Sequence, residues 1–176
     1  MKFIGVEHTQ HASALADLIN TAYRGTSGAK RWTSEHGLIE GARISIGGIR
    51  DLILDRNVRV FAAFDEDDMP RCCIAITFDG SVAELGAFAV HPDEQGSGLG
   101  TLLLSFAEQY AAKRAQTLRV CVVNKSDKLL NFYVRRGYSF CEHNYPYPTH
   151  KLVGTPLVAG LALVVMEKLA PQFNYQ

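Results

Sequence analysis

The junction that most constrains this chain runs from Glu84 to Ala111. A β-type run, Glu84–Val90, enters the turn Gln95-Gly96-Ser97-Gly98-Leu99-Gly100. A helix follows at once, with Leu99, Leu102, Leu103, Phe106, Ala107, Tyr110 and Ala111 apolar at spacings of three and four. A glycine-rich turn therefore carries a strand into a helix N-terminus. Such a turn bares several backbone N–H groups at the positive end of the helix dipole, which suits an anion such as a pyrophosphate. Gly98 and Gly100 lack Cβ, so they accept positive φ and let a ligand approach the backbone. Taken alone, Gly-x-Gly before a helix also suits a plain tight turn. A dinucleotide fingerprint is disfavoured, because the third glycine would fall on Thr101. A P-loop is excluded, because no Gly-Lys-Ser/Thr closes the turn.

A second segment adds to the first. Asn124-Lys-Ser-Asp-Lys-Leu-Leu-Asn-Phe-Tyr133 and then Gly137-Tyr138 follow the strand-like Thr117–Val123. Together the two segments resemble the GNAT acetyltransferase superfamily. Its signature is a Gln/Arg-x-x-Gly-x-Gly/Ala turn, then an Asn, then a helix with an aromatic pair ending in Tyr, then Gly-Phe/Tyr. Gln95, Gly98 and Gly100 match the first part. Asn124, Phe132, Tyr133, Gly137 and Tyr138 match the second. Many members place the Asn seven residues before the Tyr. Here the separation is nine, as in some subfamilies, and Ser126 holds the nearer position. The match covers Ala83–Phe140, about a third of the chain.

Length and composition agree with one domain spanning residues 1–176 and one large core. Apolar residues make up 47% of the chain, which argues against disorder. The 18 basic and 18 acidic side chains cancel. Net charge therefore gives no general attraction for nucleic acid or an anionic membrane. Lys113, Arg114, Arg119, Lys125, Lys128, Arg135 and Arg136 lie near the turn region in sequence. They suit either adenine-ribose phosphates or a solvated helix face. Cys72, Cys73, Cys121 and Cys141 form no Cys-x-x-Cys or zinc-type spacing, so no metal is expected. Reduced cysteines and the absence of a signal-peptide pattern give a cytoplasmic expectation. The apolar run Leu157–Met166 is too short for a membrane span.

Patterning gives strands at Lys2–Glu7, Val58–Asp65, Arg71–Phe78, Ser81–Val90, Leu118–Val123, Tyr138–His143 and Gly160–Lys168. Helices are expected over Ala12–Tyr23, Gly48–Asp55 behind a Ser45 cap, Gly98–Arg114 and Asp127–Arg135. A further short helix is expected near Glu35–Glu40. Periodicity alone gives an α/β or α+β domain. The resemblance implies more: a mixed, mainly antiparallel sheet of about seven strands flanked by helices. Its fourth and fifth strands, Ser81–Val90 and Leu118–Val123, run parallel and splay apart to admit a pantetheine arm.

The resemblance also implies an N-acetyltransferase that uses acetyl-CoA, yields coenzyme A and transfers directly within a ternary complex. Transfer to an amine needs a neutral acceptor, donors for the carbonyl oxygen and a proton for the leaving thiolate. Tyr133 is the candidate general acid, against the alternative of a core tyrosine. Glu84, in phase with Gly86, Phe88 and Val90, is the candidate base; a solvent-facing strand Glu is the equal alternative. His91 is read as a turn residue rather than a proton shuttle. Backbone of Ala89 and Val90 would pair with the pantetheine amides. The run Gln95, Gly96, Ser97, Gly98, Leu99, Gly100 and Thr101 would hold the pyrophosphate, and Asn124 would touch the arm. Trp32, Glu35, Tyr145, Tyr147 and His150 are candidate acceptor contacts, with surface or packing roles as the alternative. The acceptor is a small-molecule amine or a protein or peptide amine, with no nucleic acid or membrane partner. The chain would act as a monomer or homodimer. A non-catalytic acyl-CoA-binding regulatory domain is the second reading, and a toxin acetylating aminoacyl-tRNA the third.

Overall fold

The computed structural model describes residues 2–25, 34–149 and 153–172. Strand β1 (Ile4–Gly5) leads through a 3-10 turn at Thr9–His11 into α1 (Ala12–Arg24). There follow β2 (Ile39–Glu40), α2 (Ile46–Leu54), β3 (Val58–Phe64), β4 (Pro70–Asp79) and β5 (Val82–Val90). After a 3-10 turn at Pro92–Glu94 come α3 (Leu99–Ala111), β6 (Thr117–Val123) and α4 (Asp127–Val134). β7 (Ser139–Pro146), β8 (Thr155–Pro156) and β9 (Ala162–Leu169) complete the order. Among the described residues, no helix is long and apolar enough to cross a membrane.

Seven strands form one sheet in the order β1-β3-β4-β5-β6-β9-β7. All neighbours are antiparallel except β5 and β6. That parallel pairing holds only from Val82–Thr117 to Glu84–Arg119. Both strands run on beyond it, so they part toward their C-terminal ends. The mixed sheet and the splay match the expected α+β architecture.

Helices cover the two faces because their apolar stripes have the helical period. On one face, Leu15, Ala16, Ile19 and Ala22 of α1 pack on Val60, Ala62, Cys73 and Ala75. On the other, Leu99, Leu103, Leu104, Ala107 and Ala111 of α3 pack on Ile74, Ile76, Leu85 and Val120. The seam of α3 differs from the expected one at two positions. Leu102 is exposed and Leu104 is buried, because the stripe follows Leu103, Ala107 and Ala111 and position 102 falls outside it. Ser45 caps α2 as expected, its Oγ accepting from the Gly48 N–H.

Three expectations are corrected. Residues 35–40 form no helix: a turn with Gly37 at φ +77° leads into β2, which pairs with β8. β1 is two residues long rather than six: Ile4 and Gly5 pair in register with β3, and beyond them the Val6 N–H donates to the Val60 carbonyl. β7 extends through Tyr145 to Pro146, beyond the expected end at His143. As an edge strand it tolerates a proline, which lacks the N–H an interior strand needs.

Candidate active site

The splay opens between β5 and β6, and the turn after β5 lies at its mouth. Gly96 and Gly98 take φ of +88° and +93°, the left-handed region that glycine adopts without strain. A Cβ at either would meet no atom within 4 Å, so both face open space. Gly100 is different: a Cβ there would meet Val90 and Phe88 at 3.4 and 3.5 Å, so it lets α3 lie close on β5. The first turn of α3 leaves the Gly100 and Thr101 amides without intrahelical partners. The Gln95 side chain donates to the Val90 carbonyl at 3.1 Å and ties the turn to the strand. Ser97 Oγ donates to the Glu94 carbonyl and accepts from the Leu99 N–H. His91 Nδ1 accepts from the Asp93 N–H, a turn role.

Around this turn lies a cleft of about 260 Å³, lined by Phe88, Val90, Gln95, Gly96, Gly98, Gly100, Thr101, Leu129, Phe132, Arg135 and Arg136. Arg136 lies over the Phe132 ring at 3.4 Å and donates to Thr101 Oγ1 and to the Phe132 carbonyl. Its Nε is buried without a hydrogen-bond partner among the described residues. Two arginines, bared amides and a guanidinium N–H without a partner among the described residues are groups that suit an anion. Sequence reading left Arg135 and Arg136 undecided within a basic group. The signal was their place just before Gly137, whose φ of +84° ends α4 at the cleft.

A second cavity of about 740 Å³ lies on the α1–α2 side of the sheet. Phe88 and Leu129 line both spaces, so they adjoin there. Glu84, Gly86, Ala87, Cys121 and Val123 line the second cavity from β5 and β6. Tyr23, Glu35, Arg43, Asp51, Tyr133 and Tyr147 stand on its other walls.

A β-bulge shapes the boundary between the two. Ala75 pairs with Gly86 and Cys73 with Ala89, so Ala87 and Phe88 together oppose Ile74. Ala87 reaches φ +46°, a left-handed conformation that costs a non-glycine residue about 1 kcal/mol. Both bulge carbonyls are engaged: the Cys73 thiol donates to Ala87 O at 3.4 Å, and the Tyr23 hydroxyl to Phe88 O at 2.7 Å. The bulge also breaks the alternation expected along β5. Phe88 and Val90 share the α3 face with Ala83 and Leu85, whereas Ala87 and Ala89 belong to the α1 face. Glu84 is therefore in phase with Gly86 but not with Phe88 and Val90.

Tyr133 is almost fully buried and packs edge-on against Phe132 and Tyr138. Among the described residues its hydroxyl makes no hydrogen bond. Burial pushes that hydroxyl well above the ordinary phenol range, and Tyr23 and the Glu108 carboxylate add to the shift. It is thus a protonated donor at a cavity wall. Burial likewise pushes the Cys121 thiol up to about 11, with Glu84 adding to the shift.

The acceptor candidates separate. Glu35 is buried and forms an ion pair with Arg24. Arg24 also donates to the Gly41 and Val153 carbonyls, and the Tyr147 hydroxyl donates to Val153 O at 2.7 Å. Glu35 and Tyr147 therefore build the cavity roof. Tyr145 is exposed, beside His143, and lines neither space. Asn124 lines neither: its amide donates to Gly160 O and accepts from the Ala162 N–H, bracing the end of β6. The Leu99 N–H is engaged by Ser97 Oγ and its side chain is buried, as is Ala89. Trp32 and His150 lie outside the described residues. Sequence reading missed Tyr23 and Arg43. Tyr23 was absorbed into the apolar stripe of α1, and Arg43 carried no pattern.

The same architecture recurs in solved structures. The ribosomal-protein-S18-alanine N-acetyltransferase of Escherichia coli superposes with a TM-score of 0.68 at 17% identity, over 99% of this chain and 97% of that one. The spermidine N-acetyltransferase of Vibrio cholerae, in complex with CoA and spermine, gives 0.67 at 15% identity, over 96% and 95%. An aminoglycoside 6'-N-acetyltransferase complexed with coenzyme A gives 0.66 at 14%, over 98% and 99%. At these identities the likeness speaks for the fold. No curated protein sequence matches the chain. The family model described as "Acetyltransferase (GNAT) family" matches residues 15–138, from within α1 through the glycine turn to Tyr138. By that match over most of its length, the chain belongs to the GNAT acetyltransferase family.

Proposed function

We propose that the protein transfers an acetyl group from acetyl-CoA to an amine by direct attack within a ternary complex. The observation that carries this reading is the junction of an anion-ready cleft with a second cavity at Phe88 and Leu129. The cleft suits the donor: Gly96 and Gly98 face open space, and among the described residues the Arg136 Nε has no partner. The backbone of Gln95–Thr101, with Arg135 and Arg136, would hold the pyrophosphate. Beyond Glu84 no strand among the described residues pairs with the β6-facing edge of β5, so Ala89 and Val90 offer backbone groups to the pantetheine amides. Acetyl-CoA supplies the acetyl group as a thioester.

The chain's own residues then divide the work. Glu84 accepts a proton from the acceptor ammonium, directly or through water. The amine nitrogen bonds to the acetyl carbon as the carbon–sulfur bond breaks, and the nitrogen's second proton passes through water to restore the Tyr133 hydroxyl. Tyr133 gives its hydroxyl proton to the departing sulfur. Cys121, the cysteine at the cavity wall, stays a thiol near neutral pH and so is a poor nucleophile, which favours direct transfer.

Free thiol released from acetyl-CoA over a panel of amines tests the reading. At least one amine should release thiol and gain acetyl in equal amounts, and Cys121→Ala should retain turnover. Acetyl-CoA binding without transfer to any amine would leave only a binding domain. An acetyl-cysteine trapped by mass spectrometry would overturn direct transfer. Glu84→Gln should lower turnover by about tenfold or more with little change in acetyl-CoA affinity. Unchanged turnover at limiting pH would remove Glu84 from the proton path.

A further inference from the structure

The larger cavity carries a cation with no ion-pair partner among the described residues. Arg43 stands half-buried on its wall, its guanidinium 5.7 Å from the centre of the Tyr23 ring. Among the described residues its side chain forms no ion pair and no hydrogen bond. The segments outside the described residues contain no Asp or Glu.

Its backbone is nevertheless held firmly. Asn20 of α1 accepts from the Arg43 and Ile44 N–H groups at 2.7 and 3.1 Å. The same amide donates to the Ile44 carbonyl at 2.9 Å. Ser45 then starts α2 with its own cap. Three hydrogen bonds from one side chain thus fix the dipeptide that carries the cation. Tyr23 links that cation to the reaction centre. Its ring lies beside the guanidinium, and its hydroxyl binds the Phe88 carbonyl in the bulge. Arg43 therefore stands about one tyrosine ring from the point where the two cavities adjoin.

Beside Arg43 itself a second cation is disfavoured. The guanidinium matches a carboxylate, which its planar fork can bind through two parallel hydrogen bonds. Glu84 and Asp51 share the cavity, so both charges of a zwitterion find an opposite there. We propose that Arg43 anchors a carboxylate on the acceptor, which is therefore an amino-acid-like amine rather than a polyamine. This rests on the reading of the larger cavity as the acceptor site.

Matched acceptors test it: free amino acids, each against its own carboxamide, with spermidine as the polycation. The amine of the carboxamide is the less basic, so intrinsic reactivity favours the carboxamide. The free acid should nonetheless show a kcat/KM about tenfold or more higher, the worth of one charge-assisted contact. In Arg43→Gln that acid-to-amide ratio should collapse, and Arg43→Lys should restore part of it. Acetyl-CoA affinity reports whether each variant is folded. Equal or better use of carboxamides or spermidine by the wild-type protein overturns the proposal, as does an unchanged ratio in Arg43→Gln. If no amine releases thiol, the same pairs are titrated calorimetrically into the protein with coenzyme A. A preference for the acid that depends on Arg43 then upholds the subsite while ending the acetyl-transfer reading. No preference overturns the subsite as well.

Discussion

Tyr133→Phe should lower turnover by about 10²–10⁴-fold, the usual worth of a positioned proton donor, and leave acetyl-CoA affinity nearly unchanged. Only the hydroxyl is lost. The ring contacts with Phe132 and Tyr138, both at 5.3 Å between centroids, persist in the variant. The hydroxyl has no hydrogen-bond partner to orphan among the described residues, so the fold should tolerate the change. A pH dependence follows from the same burial. The raised pKa keeps the donor protonated through the ordinary phenol range, near pH 10, rather than losing its proton there. Ionisation of Tyr133 should therefore cause no fall in wild-type turnover up to about pH 10. The comparison needs the best acceptor found, with chemistry shown to be rate-limiting. Full turnover by the Phe variant under those conditions would leave Tyr133 a packing residue.

Gly98→Val should weaken acetyl-CoA binding by about ten- to a hundredfold, the worth of one or two charge-assisted hydrogen bonds. The residue sits at φ +93° immediately before α3. A β-branched side chain is strongly disfavoured at positive φ, so the turn must shift and its amides lose their common aim. No atom lies within 4 Å of the new Cβ, so the effect is not a clash within the protein. The helix behind the turn is held by Leu103, Leu104 and Ala107, which are buried far from the change. Unfolding by circular dichroism should therefore stay cooperative while calorimetry reads the loss. Wild-type affinity in a folded Gly98→Val protein would place the donor elsewhere.

The glycine turn was legible because its chemistry is local. Positive φ, a missing Cβ and a helix start leave their mark on six adjacent residues. The apolar stripe of α1 and the Ser45 cap were legible for the same reason. The bulge in β5 was not. It places an alanine in a left-handed conformation with no glycine to announce it, and tertiary contacts from Cys73 and Tyr23 hold its carbonyls. The phase of Glu84 was consequently misjudged beyond Gly86. The β2–β8 ribbon escaped because two residues carry no periodicity. Its cause lies in pairings across 115 positions or more, such as Ile39 with Pro156. Arg43 escaped for a related reason: only the fold shows that no carboxylate among the described residues pairs with it.

The clasp between Arg24 and Glu35 bears on how the acceptor range of such a protein can change over generations. Removing either partner strands the other charge in a nearly enclosed place, which is far costlier than never having had the pair. Single substitutions at these two positions are therefore closed paths, and only a paired replacement could cross. Arg43, Asp51 and Ser45 bear no such lock. Each borders the cavity and can mutate without leaving a buried charge alone. Inheritance can thus redraw what the cavity accepts one residue at a time, beneath a roof that stays as it is.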